Sequence, residues 1–138
     1  MIILDTNILS ALMRQIPEPK VVAWLDTQPR TSVWITSVTL LEVHFGLQIM
    51  PAGRKRVVLI RAFDEFLETI GRRVAPFDSD AAKVAADLMA ARQKRGWPGD
   101  LRDTMIAGIV LARHAALATR NTAHFDDTGA PVINPWTV

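Results

Sequence analysis

Short apolar runs alternate with longer segments of helical period along the whole chain, and that alternation leaves few architectures open. Ile2-Ile3-Leu4 stops at Asp5, as a strand buried on both faces would, and Thr6 can cap a helix running to about Met13. Pro17 and Pro19 interrupt the chain; Pro19 suits the first turn of a helix carrying Val21, Val22 and Leu25, closed by Pro29. Val33-Trp34-Ile35-Thr36 reads as a second strand, Ser37 as an N-cap, and Val38 to about Ile49 as a helix that Pro51 and Gly53 end. From Arg54 to Ile70, Leu59, Phe63, Phe66, Leu67 and Ile70 recur on one helical face, with Gly71 as C-cap. Val74 to Phe77 is a third strand candidate, and Asp78 caps a helix to Arg95 whose core stripe includes Val84, Leu88 and Ala91. Beyond Gly96 and Pro98 lie an apolar helix, Leu101 to His114, and two strand candidates, Ala116 to Thr119 and Val132-Ile133. The expected class is α/β, a mostly parallel central sheet flanked by helices, in which ligands gather at the carboxyl ends of the strands. Strand order is not legible at this level.

The 138 residues hold no internal repeat and no Gly/Ser linker, so one domain is expected over residues 1–138. The absence of cysteine excludes disulfide frameworks, zinc-thiolate sites, iron–sulfur clusters and cysteine nucleophiles. No apolar run approaches the ~18 residues of a membrane span, and no basic segment precedes the first apolar residues, so a cytoplasmic protein without membrane contact is expected. A net charge of +2 does not demand a polyanionic partner, though it is compatible with a local basic face.

Three acids sit in apolar surroundings, where an isolated charge is expensive. Asp5 ends the first strand, and its ordinary role is a helix cap, for which Thr6 also offers itself. Glu42 is the only charged residue between Val33 and Ile49, on an apolar helix face with no Lys or Arg within a turn; its ordinary fate is a solvated stripe. Asp103 opens an apolar helix one turn after Asp100, and either carboxylate can compensate the helix dipole there. An α/β sheet could bring Asp5, Glu42 and Asp103 together. Clustered carboxylates repel unless they share a proton or a cation, and an all-oxygen set suits Mg²⁺ or Mn²⁺. Such an ion can activate water and offset charge on a phosphodiester.

Five segments, in order, now carry a resemblance: Ile3-Leu4-Asp5-Thr6-Asn7, Ser37-Val38-Thr39-Leu40-Leu41-Glu42, Asp103-Thr104-Met105-Ile106-Ala107, Ala118-Thr119-Arg120-Asn121-Thr122 and Ile133-Asn134-Pro135-Trp136. With these the whole chain resembles a PIN-domain ribonuclease of the VapC toxin type, in its FitB-like branch. The resemblance implies a PIN-like three-layer α/β sandwich, a metal-dependent endoribonuclease, and products with 5′-phosphate and 3′-hydroxyl ends. It also implies a homodimer, and a VapB-like antitoxin partner placing a basic side chain near the carboxylates. By it, Asp5, Glu42 and Asp103 bind the divalent ion, Thr6 and Asn121 support the site, and RNA is the substrate. One departure stands out: where relatives often place a fourth acid, this chain has Asn121 and His124, which puts a second metal in doubt, while Asp126 and Asp127 lie close without matching the motif.

Arg54, Lys55, Arg56 and Arg61 form one basic cluster, for which a solvated face is the ordinary reading. Arg92, Lys94, Arg95 and Arg102 form another beside Asp103, where Arg95, Arg102 and Trp97 are candidate RNA contacts. His44, His114 and His124 lack zinc-binding spacing and read as surface residues. Two rival functions are weighed. A phosphatase using Asp5 as nucleophile finds Asn7 where a second carboxylate is needed and has no evident Lys, and a binding module with decayed catalysis is opposed by the intact Asp5, Glu42 and Asp103.

Overall fold

A computed structural model describes residues 1–138. Five strands, β1 (Ile2–Leu4), β2 (Val33–Thr36), β3 (Val74–Ala75), β4 (Ala116–Ala118) and β5 (Val132–Ile133), form one sheet in the order β3-β2-β1-β4-β5. Every pairing is parallel, so the sheet is wholly rather than mostly parallel. Parallel neighbours need crossovers, and the helices supply them: α1 (Thr6–Met13), α2 (Pro19–Asp26), α3 (Ser37–Ile49), α4 (Arg54–Thr69), α5 (Ser79–Lys94) and α6 (Leu101–Ala112). No helix is long and apolar enough to cross a membrane.

Successive strand residues face opposite layers, and β1 shows the consequence. Leu4 joins a core with Ile8, Val21, Phe63 and Leu67 from α1, α2 and α4. Ile3 joins a separate core with Ala81, Ile106, Ile109 and Val110 from α5 and α6. α3 spans the two layers, with Leu47 in the first core and Val38 in the second.

Several boundaries differ from the sequence reading, each for a local reason. Thr36, not Ser37, caps α3: its hydroxyl accepts from the Thr39 amide at 3.1 Å, while the Ser37 hydroxyl turns outward to accept from the Phe77 amide. β3 stops at Ala75, two residues early, because it is an edge strand paired only to β2. Ala91 is exposed, and the buried stripe of α5 runs through Ala81, Ala85 and Arg92. α6 ends at Ala112, and His114 adopts φ +52° in the turn into β4. Short 3₁₀ turns at Arg30–Ser32 and Thr122–Phe125 had no sequence signal in that reading.

Small residues bring α5 and α6 close. A Cβ added at Gly108 would lie 2.6 Å from the Ala81 carbonyl oxygen and 2.8 Å from the Ala85 Cβ. Backbone cannot yield there as a flexible side chain does, so overpacking outweighs the better helix propensity of alanine, worth up to about 1 kcal/mol. Gly108→Ala is expected to lower stability by about 1–3 kcal/mol in urea unfolding. Unchanged stability would show that the two helices are free to separate.

Candidate metal and nucleic-acid site

Reading outward from β1, the strands run to β2 and β3 on one side and to β4 and β5 on the other. The crevice of such a sheet opens where the order reverses, at the carboxyl ends of β1 and β4. Asp5 follows β1 and Thr119 follows β4. The Asp5 amide continues the ladder by donating to Ala118 O at 2.9 Å, which fixes its backbone.

Asp5 is only 4% exposed. Its Oδ1 accepts from the Thr6 amide at 2.8 Å, so Asp5 rather than Thr6 caps α1. Its Oδ2 accepts from Thr119 Oγ1 at 2.8 Å, with Asn7 Nδ2 at 3.4 Å. None of the ion pairs in the structure reaches Asp5. Burial therefore pushes its carboxyl up from 3.8 to about 6; the hydrogen bonds from Thr119 and Thr6 oppose this, and the nearby Asp103 and Glu42 charges add to it.

The other two acids come from different elements. Glu42, half-buried on the second turn of α3, accepts from Thr6 Oγ1 at 2.9 Å through Oε1, and its Oε2 lies 3.7 Å from Arg102 Nη1. The cation absent from its own helix thus arrives from α6. Asp103 stands in the first turn of α6, but Asp100 is the cap, accepting from the Asp103 amide at 3.0 Å. That leaves the Asp103 side chain free, and its Oδ2 meets His124 Nδ1 at 2.9 Å. Asp103 and Glu42 are near enough to raise the Asp5 pKa, yet no three His, Asp or Glu groups converge closely enough to hold an ion as they stand. Oxygen donors only, three acids, and a buried one without a cation fit a hard divalent ion in chemistry and charge.

Asn121 is exposed; its amide donates to Thr119 Oγ1 at 3.0 Å, while its side chain bonds none of the acids. Several residues left unassigned by sequence build the surroundings. Thr119 is fully buried, and Asn7 Nδ2 donates to its hydroxyl at 3.2 Å while Asn7 Oδ1 accepts from the Arg120 amide. The signal for Thr119 was available, since it ends an apolar strand as Asp5 does.

Arg92 carried no usable signal. Placed by sequence in a surface cluster, it is 1% exposed and reaches Asp127 through Nε and Nη2, both at 2.9 Å. Its Nη1 donates to Thr104 Oγ1 and its Nη2 to His124 O, each at 2.8 Å. Asp127 thus serves an arginine rather than the acid site, and Arg95 also bonds to it. The Arg92 and Arg95 guanidinium groups hold the Asp127 carboxyl down at about 2. His124, read as a surface residue, has its ring at Asp103 and its carbonyl fixed by Arg92. His44 and His114 are exposed, away from the acids' hydrogen bonds.

A family model described as the PIN domain matches residues 2–131. The VapC ribonuclease Y4jK of Sinorhizobium fredii is 39% identical over 137 residues, which is 99% of this chain and 98% of that protein. Toxin FitB of Neisseria gonorrhoeae is 31% identical over 137 residues, 99% of each. The crystal structure of FitAcB from Neisseria gonorrhoeae superposes with a TM-score of 0.91 at 31% identity, covering 100% of both chains.

Two pH dependences follow. For Asp5 the folded value of about 6 exceeds the ordinary 3.8, so without a cation its charge destabilises the fold in full above pH 6 and the penalty is relieved as pH falls toward 4. Asp5→Asn in chelator is expected to be more stable than wild type to denaturant at pH 7.5, by at most about 3 kcal/mol, with the gap roughly halved at pH 5 and closing below pH 4. A constant gap across that range would place the effect elsewhere. For Asp127 the folded value is depressed, so its contribution is present above about pH 4 and is lost as pH falls toward 2. Asp127→Ala, which strands a buried guanidinium, is expected to cost about 3–5 kcal/mol at pH 7 by denaturant unfolding, and less near pH 2.

Proposed function

The chain belongs to the PIN-domain family, and from that membership we propose that it is the ribonuclease toxin of a toxin–antitoxin pair, of the VapC type and FitB-like. It hydrolyses RNA phosphodiester bonds. The observation that carries this reading is the buried Asp5 carboxylate, held without a cation at the sheet crevice and flanked by Glu42 and Asp103. A relative 39% identical is named a ribonuclease and one 31% identical a toxin, which supports both halves of the assignment.

Asp5, Glu42 and Asp103 would hold Mg²⁺, or Mn²⁺ in its place. The bound ion supplies activation of a water nucleophile and compensation of charge on the phosphodiester. Asp5 offers an oxygen whose direction Thr119 and Thr6 fix, and it must be ionised to serve. Thr6 orients Glu42 with its hydroxyl, and His124 orients Asp103. The stretch after β4 supplies Asn121 and His124 rather than a matching fourth acid, which favours one ion over two.

The protein partner is a cognate VapB-like antitoxin. A groove of about 500 Å³ that starts at Thr6 and Glu42 and continues past Leu47, Met50 and Leu59 supports a partner segment ending near the acids. A homodimer is supported by the exposed stripe Leu41, Phe45 and Ile49, spaced four residues apart on α3. The site of action is the cytoplasm, where RNA is met, and the fold reads as a single domain over residues 1–138.

Asp5→Asn and Asp103→Asn should each retain the circular dichroism of wild type and lose about 100-fold or more of RNA cleavage, since an amide is a poorer ligand for a hard cation. EDTA should abolish wild-type cleavage, and Mg²⁺ or Mn²⁺ should restore it. Undiminished cleavage in EDTA would point to histidine chemistry and remove the metal from the reading.

A further inference from the structure

A second cleft, of about 380 Å³, opens beside Asp103 and is walled by Arg92, Trp97, Gly99, Asp100 and His124. Its floor is unusually fixed. The Arg92 guanidinium lies 5.1 Å from the Trp97 ring centroid and covers one face of the indole, while the ring stays 44% exposed. Every arm of that guanidinium is already committed, to Asp127, Thr104 and His124. The loop lies directly on it: Gly99 has φ +70°, and a Cβ there would come 3.1 Å from Arg92 Nη1. Trp97 is therefore a flat aromatic surface set in place before any ligand arrives.

The charges decide which part of a ligand fits. Asp127 neutralises Arg92, so the open polar groups are the Asp100 and Asp103 carboxylates and the His124 ring. A phosphate would face two acids, whereas a nucleobase would present N–H donors to them. Asp100 uses Oδ1 for the Asp103 amide, and its Oδ2 accepts nothing within the protein. Asp100 can accept from the exocyclic amino group of a base laid on the indole; uracil offers only its ring N3–H and a smaller face to stack, so an amino-bearing purine is favoured over it. Asp103 borders both this cleft and the acid site, so a base seated here belongs to a nucleotide next to the bond that is cut.

Resting on the ribonuclease reading, we propose that this cleft is a nucleobase subsite, in which an amino-bearing base of the RNA stacks on Trp97 and donates to Asp100. Trp97 and Asp100 then bias which sequence is cut, separately from the acids that cut it.

The test begins in EDTA, where binding is separated from cleavage. Fluorescence anisotropy with labelled oligoadenylate and oligouridylate should show tighter oligoadenylate binding by wild type. Trp97→Ala should weaken it about 5- to 100-fold, the range of base–aromatic stacking, and Trp97→Phe should restore most of it. Asp100→Asn, which keeps a good helix cap, should narrow the difference between the two oligomers. In Mg²⁺, mapping of cut positions in a mixed-sequence RNA should show the base preference beside the cut relaxed in Trp97→Ala. Denaturant unfolding of each variant confirms that the fold is kept. Equal binding of the two oligomers by wild type, or unchanged binding and cut positions in Trp97→Ala, overturns the subsite. A wild type that cuts no RNA in Mg²⁺ overturns instead the ribonuclease reading on which it rests.

Discussion

A carboxylate buried at the end of the central strand, with hydrogen bonds but no cation, is the constraint around which this fold is arranged. Asp5 cannot retreat into solvent, because its amide belongs to the β1–β4 ladder and its Oδ1 caps α1. A buried charge of this kind costs several kcal/mol unless compensated, and the hydrogen bonds from Thr6, Thr119 and Asn7 recover only part of that. The fold therefore carries a local instability at its crevice. Such strain persists where surrounding structure over-determines it, and here the surroundings are the switch point of a wholly parallel sheet.

What over-determines the site is a second buried charge, fully satisfied. Arg92 ties α5 to α6 through Thr104 and both to the stretch after β4 through Asp127 and His124 O. Breaking a buried pair costs far more than the pair gains, so Arg92 gives little net stability but much geometric definition. Its position explains why His124 stands at Asp103 and why the Trp97 loop lies where it does. The two charged centres thus divide the work: one is left short of a partner, and the other holds the first in place.

Much of this was legible in the residues. The ends of β1, β2 and β5 and the C-terminal end of α1 follow from apolar runs and chain breaks, and Asp5, Glu42 and Asp103 stood out as acids among apolar neighbours. The strand order was not legible, because it depends on pairing between runs too short to carry register information. Arg92 was misplaced for a related reason: an arginine among Lys94 and Arg95 looks solvated, and its partner Asp127 lies 35 residues away. His124 was visible only as the substitute for an acid, since one residue on a 3₁₀ turn has no periodicity to betray its direction. Pairs that meet across the sheet crevice leave no local trace.

The separation of the three acids has its own electrostatic logic. Were Glu42 and Asp103 drawn against Asp5, the crevice would hold three adjacent negative charges, which repel. Instead Glu42 is occupied by Thr6 and by Arg102, and Asp103 by His124. These restraints are weak: the Arg102 side chain is 54% exposed and His124 49% exposed, so each pair contributes at most about 1 kcal/mol. Asp5 alone is immovable. One fixed acid and two lightly held ones keep like charges apart in the crevice. The cost of a buried charge is thereby confined to a single carboxylate, the one whose pKa burial raises to about 6.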